Sequence, residues 1–401
     1  MKRLVLLVAL AATLACGLVA CGGSDEEGGG STTASHDGGG DGGKLDLKIG
    51  FSGTLEGPYA AYDEPLLKGM EFAAEQVNRT NDRVNVEIVF KDNRGDQQEA
   101  SSTMQELIDD GIRVFALTNG DALVAQGQLG QAVGAVMGLG ASTAPSWVRD
   151  IGDGAFLFAF GDNGQAAAAA RYACDQGWRT TYILRSKELP YLNNTPDYFA
   201  DAFAHMCDGS VVGDDSFKVG QTEFEAQVTK IGNASPQPDF IYTTMFVPDS
   251  GVFLKALRGA GIELPFLGGD GDDSPLFAKS GGSAVDGVVF TTHGFPASGS
   301  ELERFNRDFE AATGAAPESV FEALGADHVT ALVAAAEAAG STDPAELKEA
   351  VAHLEDVPLI TGTLSMDPET RVPNKEVTLV RMKGTKPTFE TSIQPDYTPT
   401  P

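Results

Sequence analysis

The chain has 401 residues, of which 42% are hydrophobic and 21% are charged; this is too long for one compact core and apolar enough to build two. Its 57 acidic residues outnumber 28 basic ones, and the formal charge of −29 repels phosphate backbones, so we expect no nucleic-acid partner. Four cysteines exclude a scaffold built on disulfides, and a mean hydropathy of −0.11 excludes a protein with many membrane spans.

The N-terminus has the pattern of a secretory signal. Two basic residues, Lys2 and Arg3, precede an almost wholly apolar run over 4–15, which is too short for a span that is kept for its own sake. We therefore predict that residues 1–20 are a signal peptide that is removed on export.

The segment Leu18-Val19-Ala20-Cys21 resembles the lipobox of bacterial lipoproteins, whose cysteine is acylated and becomes the new N-terminus. Cys16 is a competing position, and an uncleaved anchor with an incidental Cys21 is the alternative interpretation. The resemblance implies a protein held by lipid on the outer face of the bacterial cell membrane. Residues 21–43, rich in glycine and serine, would then be the lipidated cysteine and a flexible tether.

From Lys44 onward, apolar periodicity alternates between strand and helix. Two successive sets of alternating elements, the second of which includes a helix predicted at 196–207, are followed by two late strands and, before them, by three helices predicted at 302–313, 320–339 and 344–354. The strands are predicted at 45–51, 84–90, 112–117, 135–140, 156–160, 181–185, 211–217, 240–245, 265–269, 285–292, 362–366 and 377–382. Alternation of this kind predicts an α/β protein with doubly wound parallel sheets, covered by helices on both faces.

Doubly wound sheets bind ligands beyond the carboxyl ends of their strands. The residues that follow the predicted strands are mainly hydroxyls, amides, aromatics and acids, which suit a small polar molecule. By contrast, the chain lacks the GxSxG, Walker and HExxH patterns of common enzymes. We therefore expect neither an enzyme nor a cofactor. His293, at the end of a predicted strand, is considered as a ligand contact.

The acidic run Asp270, Asp272 and Asp273 has two interpretations. It could hold a hard cation, but it lacks the glutamate that a calcium-binding loop needs at its twelfth position. We favour the alternative, a wall that faces a cationic group of a bound solute, and expect no metal site.

Seven segments in the same order resemble the extracytoplasmic solute-binding proteins of branched-chain amino acid, amide and urea ABC transporters, of the leucine/isoleucine/valine-binding type. The segments are Lys48-Ile49-Gly50-Phe51-Ser52-Gly53-Thr54-Leu55-Glu56-Gly57-Pro58-Tyr59, Gly69-Met70-Glu71-Phe72-Ala73, Lys91-Asp92-Asn93, Gly140-Ala141-Ser142-Thr143-Ala144-Pro145, Pro238-Asp239-Phe240-Ile241, Leu267-Gly268-Gly269-Asp270 and Ile360-Thr361-Gly362-Thr363-Leu364.

The resemblance implies a type I periplasmic-binding fold, with two Rossmann-like lobes joined by three crossing strands. The crossings would lie near 160–163, 291–295 and 361–366. The N-terminal lobe would comprise 44–160 plus 296–360, and the C-terminal lobe 161–295 plus 361–386. Because prolines accumulate at its end, we expect the tail 387–401 to be flexible.

The resemblance also implies a set of ligand-binding residues. In the first lobe, the segment Ala141, Ser142 and Thr143 would hold a carboxylate, and Tyr62 would line the pocket. In the second lobe, Tyr191 and Phe246 would close over the ligand, and Asp270 or Asp273 would pair with an ammonium group.

Two segments depart from the family pattern. Asn119 and Asp121 stand near the second carboxylate contact, where Asp121 would repel a carboxylate unless it caps a helix. The segment Pro190-Tyr191-Leu192 leaves the register of Tyr191 open. The solute is therefore expected to be an amino acid or an amide, with other polar, neutral or cationic solutes still open.

Cys174 and Cys207 would remain after processing, on helices that flank one strand. In an exported protein we expect them to form a disulfide, with two buried thiols as the alternative.

The expected function is that of a monomeric receptor that delivers a small polar solute to the permease and ATPase subunits of an ABC importer. A sensory lipoprotein with the same fold is the alternative.

Overall fold

Two large β-sheets organise the computed structural model, which describes residues 43–57, 59–118 and 122–401. From Gly43 onward the chain forms one compact body, within which the two sheets and their helices are called the two units below. The predicted signal peptide, the predicted lipidation at Cys21 and nearly all of the predicted tether lie outside the described residues. No helix among the described residues is both long and apolar enough to cross a membrane.

The first sheet has five strands in the order β2-β1-β3-β4-β5, and its pairings are parallel. Its strands are β1 (Leu45–Gly53), β2 (Val84–Asp92), β3 (Val114–Leu117), β4 (Val136–Leu139) and β5 (Ala155–Leu157), and its helices are α1 (Ala60–Thr80), α2 (Gln97–Asp109), α3 (Leu123–Ala132) and α4 (Pro145–Ile151). Strands β3 and β4 are buried along their whole length, as expected for the centre of a parallel sheet that is covered on both faces.

A second alternating set builds the parallel part of the other sheet. Its strands are β6 (Thr180–Arg185), β7 (Ser210–Ser216), β8 (Phe240–Thr243), β9 (Phe266–Gly268) and β10 (Val289–Thr292), and its helices are α5 (Asp162–Asp175), α6 (Pro190–Cys207), α7 (Glu225–Gly232), α8 (Asp249–Gly259) and α9 (Pro275–Gly281). Together with the first sheet, this arrangement confirms the predicted α/β fold of two doubly wound units.

After β10 the chain returns to the first sheet. Its elements there are α10 (Glu301–Thr313), α11 (Phe321–Ala339), α12 (Pro344–Ala352), β11 (Val357–Leu359) and β12 (Gly362–Leu364). Helix α11 packs tightly on α1, since a Cβ at Gly325 would lie 2.1 Å from the carbonyl oxygen of Leu66. On α10, Phe305 and Phe309 pack edge-to-face on Phe72 of α1, at 5.6 and 5.3 Å between ring centroids.

The last two strands, β13 (Val377–Lys383) and β14 (Lys386–Ile393), complete the second sheet in the order β14-β13-β10-β9-β8-β6-β7. Both pair antiparallel, so this sheet is mixed rather than wholly parallel. The prediction of a flexible segment beginning at residue 387 was wrong here, because β14 pairs along β13. Beyond β14, Tyr397 stacks on His205 of α6, with ring centroids 3.9 Å apart.

The chain passes between the two sheets three times, after β5, after β10 and after β12. A buried polar cluster ties the third passage to α11. The Lys375 ammonium donates to the Thr361 hydroxyl at 2.8 Å, and Asp327 accepts from the backbone N–H groups of Ile360 and Thr361 at 2.6 and 3.0 Å. The connection is therefore held by hydrogen bonds at its turn.

Helices α5 and α6 are joined covalently. Cys174 and Cys207 form a disulfide, with their Cα atoms 5.8 Å apart, which confirms the predicted pairing. The bond links the helix before β6 to the helix after it.

Candidate functional site

A cavity of about 30 Å³ lies between the loops that end the strands of the two sheets. Eleven described residues line it. Six are aromatic, and the others are small, apolar or acidic: Tyr59, Tyr62, Trp147, Tyr191, Phe246 and Phe321, with Ala141, Thr143, Leu189, Asp270 and Gly271. The site is thus a largely aromatic enclosure with few polar groups.

The wall from the first sheet comes from the segment after β4. Ala141 and Thr143 are buried and line the cavity. The segment is anchored to the second unit, because the N–H of Asp162, the first residue of α5, donates to the Thr143 carbonyl at 2.8 Å. Ser142 is also buried but is not among the lining residues. This segment therefore presents alternate residues to the cavity.

Tyr62 and Phe321 form the aromatic part of the same wall. Tyr62 lies in the first turn of α1, and Phe321 is the first residue of α11. Their rings meet edge-to-face, with centroids 5.0 Å apart. Because α11 belongs to the part of the chain that returns to the first sheet, residues far apart in sequence complete one wall.

The opposite wall is built on the second sheet. Helix α6 begins at Pro190, six residues earlier than predicted, so Tyr191 lies in its first turn and faces the cavity. The rings of Tyr191 and Phe246 are roughly parallel, with centroids 6.5 Å apart. The Tyr191 hydroxyl accepts from the backbone N–H of Gly271 at 3.2 Å. The structure thus places Tyr191, whose register the sequence left open, in the wall of the cavity.

Asp270 is the acidic residue of the cavity. It follows β9 and is buried, with Oδ2 3.1 Å from Nε2 of His293. Its Oδ1 is buried and has no partner at hydrogen-bonding geometry among the described residues, although the nearby Tyr191 hydroxyl interacts with the Asp270 carboxylate. A buried carboxylate oxygen without a donor is costly, so Asp270 is suited to accept a hydrogen bond from a bound group.

His293 is hydrogen-bonded to Asp270 but does not itself line the cavity. Its ring stacks on Phe160, with centroids 3.8 Å apart, and burial lowers the pKa of His293. A neutral ring that carries its proton on Nε2 donates to Asp270 and holds the carboxylate in place. His293 is not among the residues that line the cavity, so its place is that of a support rather than a solute contact.

Other buried acids surround the site without entering it. Asp273 accepts a short hydrogen bond from the Thr292 hydroxyl, and burial raises the pKa of Asp273 to about 6. Burial also raises the pKa of Asp162 to about 7. Within the described ranges, no group of three acidic, histidine or cysteine side chains could hold a metal ion.

The structure brings together most of the residues predicted from sequence. Tyr62, Ala141, Thr143, Tyr191, Phe246 and Asp270 line the cavity, Ser142 and Asp273 do not, and Asn119 and Asp121 lie outside the described residues. Asp273 was the alternative to Asp270 as partner of an ammonium group; its bond to Thr292 turns it away.

Sequence reasoning missed Trp147 and Phe321 as parts of the site. Trp147 lies in α4, a short helix that was not predicted, although Pro145 at its first position is a common start signal. Phe321 was assigned to a predicted helix, but its position at the cavity depends on the packing of α11 against α1. Leu189 and Gly271 were missed because the local backbone path that brings them to the cavity has no signal in the sequence pattern.

The sequence matches known proteins over most of its length. Residues 46–387 match the family model described as periplasmic binding protein. The Leu/Ile/Val-binding protein BraC3 of Rhizobium johnstonii is 26% identical over 331 residues, which cover 80% of this chain and 87% of that protein.

Solved structures share the fold. The leucine binding protein LivK of Thermotoga maritima superposes with a TM-score of 0.79 at 26% identity, covering 87% of this chain and 99% of that chain. A solute-binding protein of an ABC transporter from R. palustris, solved in complex with benzoate, gives a TM-score of 0.75 at 21% identity, covering 87% of this chain and 97% of that chain. At the latter identity, the likeness concerns the fold alone.

Proposed function

Because the chain belongs to the periplasmic binding protein family, a family of solute-binding and not catalytic proteins that act outside the cytoplasm, we propose that it binds an amino acid or an amide in the cavity between its two sheets and delivers it to an ABC importer. The observation that carries this proposal is Asp270. Its Oδ1 is buried in the cavity wall and has no hydrogen-bond partner in the part of the chain that the structure describes.

An ammonium or amide N–H group suits this position. A charged ammonium would form a charge-assisted hydrogen bond with Asp270, the stronger class of hydrogen bond in proteins. The surrounding rings of Tyr191 and Phe246 add a favourable electrostatic contact with a cation. His293 is already bonded to Oδ2, which leaves Oδ1 for the solute.

The opposite wall suits the carboxylate or carbonyl end of the same solute. Ala141 and Thr143 line the cavity, and the Thr143 hydroxyl, which also interacts with the Asp162 carboxylate, would be the hydrogen-bonding side chain of this wall. These are neutral hydrogen-bonding groups, which suffice for a zwitterion whose other end is neutralised by Asp270. The two walls are therefore complementary to the two ends of an amino acid.

A solute that is only an anion is disfavoured. The described lining residues include a carboxylate but no lysine or arginine. An anion such as the benzoate bound by the R. palustris protein would lose its hydration without gaining a cationic partner, and would be repelled by Asp270. The charge of the cavity thus favours the amino acids and amides over the aromatic acids.

Binding would proceed by hinge closure. The three passages of the chain between the sheets would act as the hinge, and a solute that contacts both walls would favour the closed conformation over the open one. The name of the relative BraC3 supports branched-chain amino acids as the first solutes to test.

A thermal-shift screen tests the proposal. Leucine, isoleucine, valine, phenylalanine, acetamide and urea form one group, and benzoate and 4-hydroxybenzoate the other. We expect at least one solute of the first group to raise the melting temperature, because a ligand that binds only the folded state stabilises it. Stabilisation by the benzoates alone would contradict the proposal.

We also propose that Cys21 carries the lipid that holds the receptor near its permease and ATPase subunits. The support is the sequence Leu18-Val19-Ala20-Cys21. Replacement of Cys21 by Ala should move the protein from the membrane fraction to the soluble extracytoplasmic fraction. An unchanged membrane fraction would exclude Cys21 as the anchor.

A further inference from the structure

His293 lies where the acidic residue of the cavity meets the connections between the two sheets. It directly follows β10, on the second passage of the chain. Its Nε2 lies 3.1 Å from Oδ2 of Asp270, and its ring stacks on Phe160 of the first passage, with centroids 3.8 Å apart. Phe321, the first residue of α11, meets the same ring edge-to-face at 6.3 Å. The imidazole is therefore held by three contacts, with Nε2 directed at Asp270.

The other ring nitrogen of His293 can take up a proton without breaking this hydrogen bond. In the neutral ring that donates to Asp270, Nε2 carries the proton and Nδ1 has a free electron pair. Nδ1 is buried and has no hydrogen-bond partner in the part of the chain that the structure describes. Protonation at Nδ1 would keep the bond between Nε2 and Asp270 and add a positive charge beside the carboxylate. The pair thus has two protonation states that share one hydrogen bond.

Burial and three charged groups determine when the ring is protonated. Burial has the largest effect and lowers the pKa of His293. Among the charged groups, Asp270 after β9 and Asp327 of α11 favour the protonated ring, whereas Lys375 of the third passage disfavours it. The ring is therefore neutral at pH 7 and takes up its second proton only in acidic solution.

The proposed solute would bring its own positive charge to the other oxygen of Asp270. Oδ2 is bonded to His293, whereas Oδ1 is buried and has no partner at hydrogen-bonding geometry among the described residues. In the proposed function, the ammonium group of an amino acid donates to Oδ1. Two positive charges on one buried carboxylate repel each other, and the carboxylate can neutralise only one of them. A protonated His293 and a bound ammonium group therefore oppose each other.

From this geometry we infer that a proton on His293 and the ammonium group of the solute are alternative counter-charges of Asp270, so that in acidic solution the solute binds only as this proton leaves. The inference rests on the proposed function. As one ammonium group arrives at Oδ1, one proton leaves Nδ1 for water, and Nε2 keeps its bond to Asp270. His293 is thus a positioning residue for Asp270 that also makes the affinity for an amino acid fall as the pH is lowered.

The variant His293→Gln tests the inference, because glutamine can donate an N–H to Asp270 but takes up no proton. At pH 7.5, calorimetry with an amino acid found in the screen should give similar affinities for this variant and wild type. Between pH 7.5 and pH 5, wild type should lose roughly three- to thirtyfold more affinity than His293→Gln, because linkage to one proton costs up to about tenfold for each pH unit. The matched control His205→Gln, at an exposed position of α6 that stacks on Tyr397, should follow wild type.

Other acids near the cavity titrate in the same range, but they are common to both proteins. Burial raises the pKa of Asp162 to about 7, that of Asp273 to about 6 and that of Asp272 well above its usual range. Because His293→Gln keeps all three, the difference between the two pH profiles isolates His293. A neutral amide brings no positive charge, so its affinity should show no such difference. Equal profiles of wild type and His293→Gln with an amino acid would overturn the inference.

Titration of the histidine rings by NMR provides a readout that needs no solute. Because the Asp270 carboxylate stabilises the proton on His293, Asp270→Asn should move the proton uptake of His293 to a pH lower by about 0.5 or more. The His293 resonance is identified by its loss in His293→Gln. Proton uptake at the same pH in wild type and Asp270→Asn would overturn the inference. If wild type binds no amino acid of the screen, that part of the proposed function is wrong, and this titration alone then decides whether the proton on His293 is the counter-charge of Asp270.

Discussion

At the scale of single residues, two buried carboxyl groups, those of Asp63 and Asp270, have different roles. Asp63, in the first turn of α1, is buried, and its Oδ2 accepts from the Thr54 N–H at 2.9 Å. Burial raises the pKa of Asp63 to about 7. Asp270 contrasts with it, since it lines the cavity and is bonded to His293. The same residue type thus anchors a loop at one position and lines the cavity at the other.

The raised pKa of Asp63 predicts a pH dependence of stability. The folded protein holds a proton that the unfolded chain releases near its usual pKa of about 3.9. The stabilisation from this proton is therefore complete at low pH and is lost as the pH rises through about 7. Asp63→Asn can still accept from Thr54 but cannot ionise.

Urea unfolding at pH 5 and pH 8 tests this prediction. Wild type should lose roughly 1–3 kcal/mol relative to Asp63→Asn between these values, since each pKa unit corresponds to about 1.4 kcal/mol. The control Asp82→Asn, at an exposed loop position, should follow wild type. Parallel profiles of Asp63→Asn and wild type would show that Asp63 does not titrate in this range.

At the scale of elements, local pattern predicted most strands and helices, and packing decided the rest. The strands β1 and β2 alternate clearly and were found with nearly the observed bounds. By contrast, β14 was missed because its residues are only partly buried and it is fixed by pairing with β13. The predicted start of α6 was too late, because Pro196 was taken as its first residue, whereas the helix begins at Pro190.

The disulfide between α5 and α6 could be predicted from the sequence, because Cys174 and Cys207 are the two cysteines that remain after processing of a chain that is expected to be exported. Its sequence separation of 33 corresponds to a stabilisation of about 3 to 4 kcal/mol in the chain-entropy model.

The composition of the site was harder to predict, because it depends more on tertiary packing. The strand ends indicated Thr143 and Asp270, but the choice of Asp270 over Asp273 required the bond between Asp273 and Thr292.

At the scale of the whole molecule, the chain forms two α/β units that share three connections. The unit that begins the chain is completed by α10 to α12, and the other by β13 and β14. This exchange places the cavity between the two units, and the hinge closure proposed above would rotate them about these connections. The Lys375, Thr361 and Asp327 cluster fixes one of these connections to α11.

Calorimetry on Asp270→Asn and Asp273→Asn tests the central claim that the solute donates to Asp270. Asparagine keeps the size of Asp270 and can still accept from His293, but lacks the charge. We expect Asp270→Asn to bind an amino-acid solute about ten- to a hundredfold more weakly than wild type, as the loss of a charged hydrogen bond predicts. Asp273→Asn, outside the cavity lining, should bind within about threefold of wild type. Equal binding by Asp270→Asn and wild type would contradict the account.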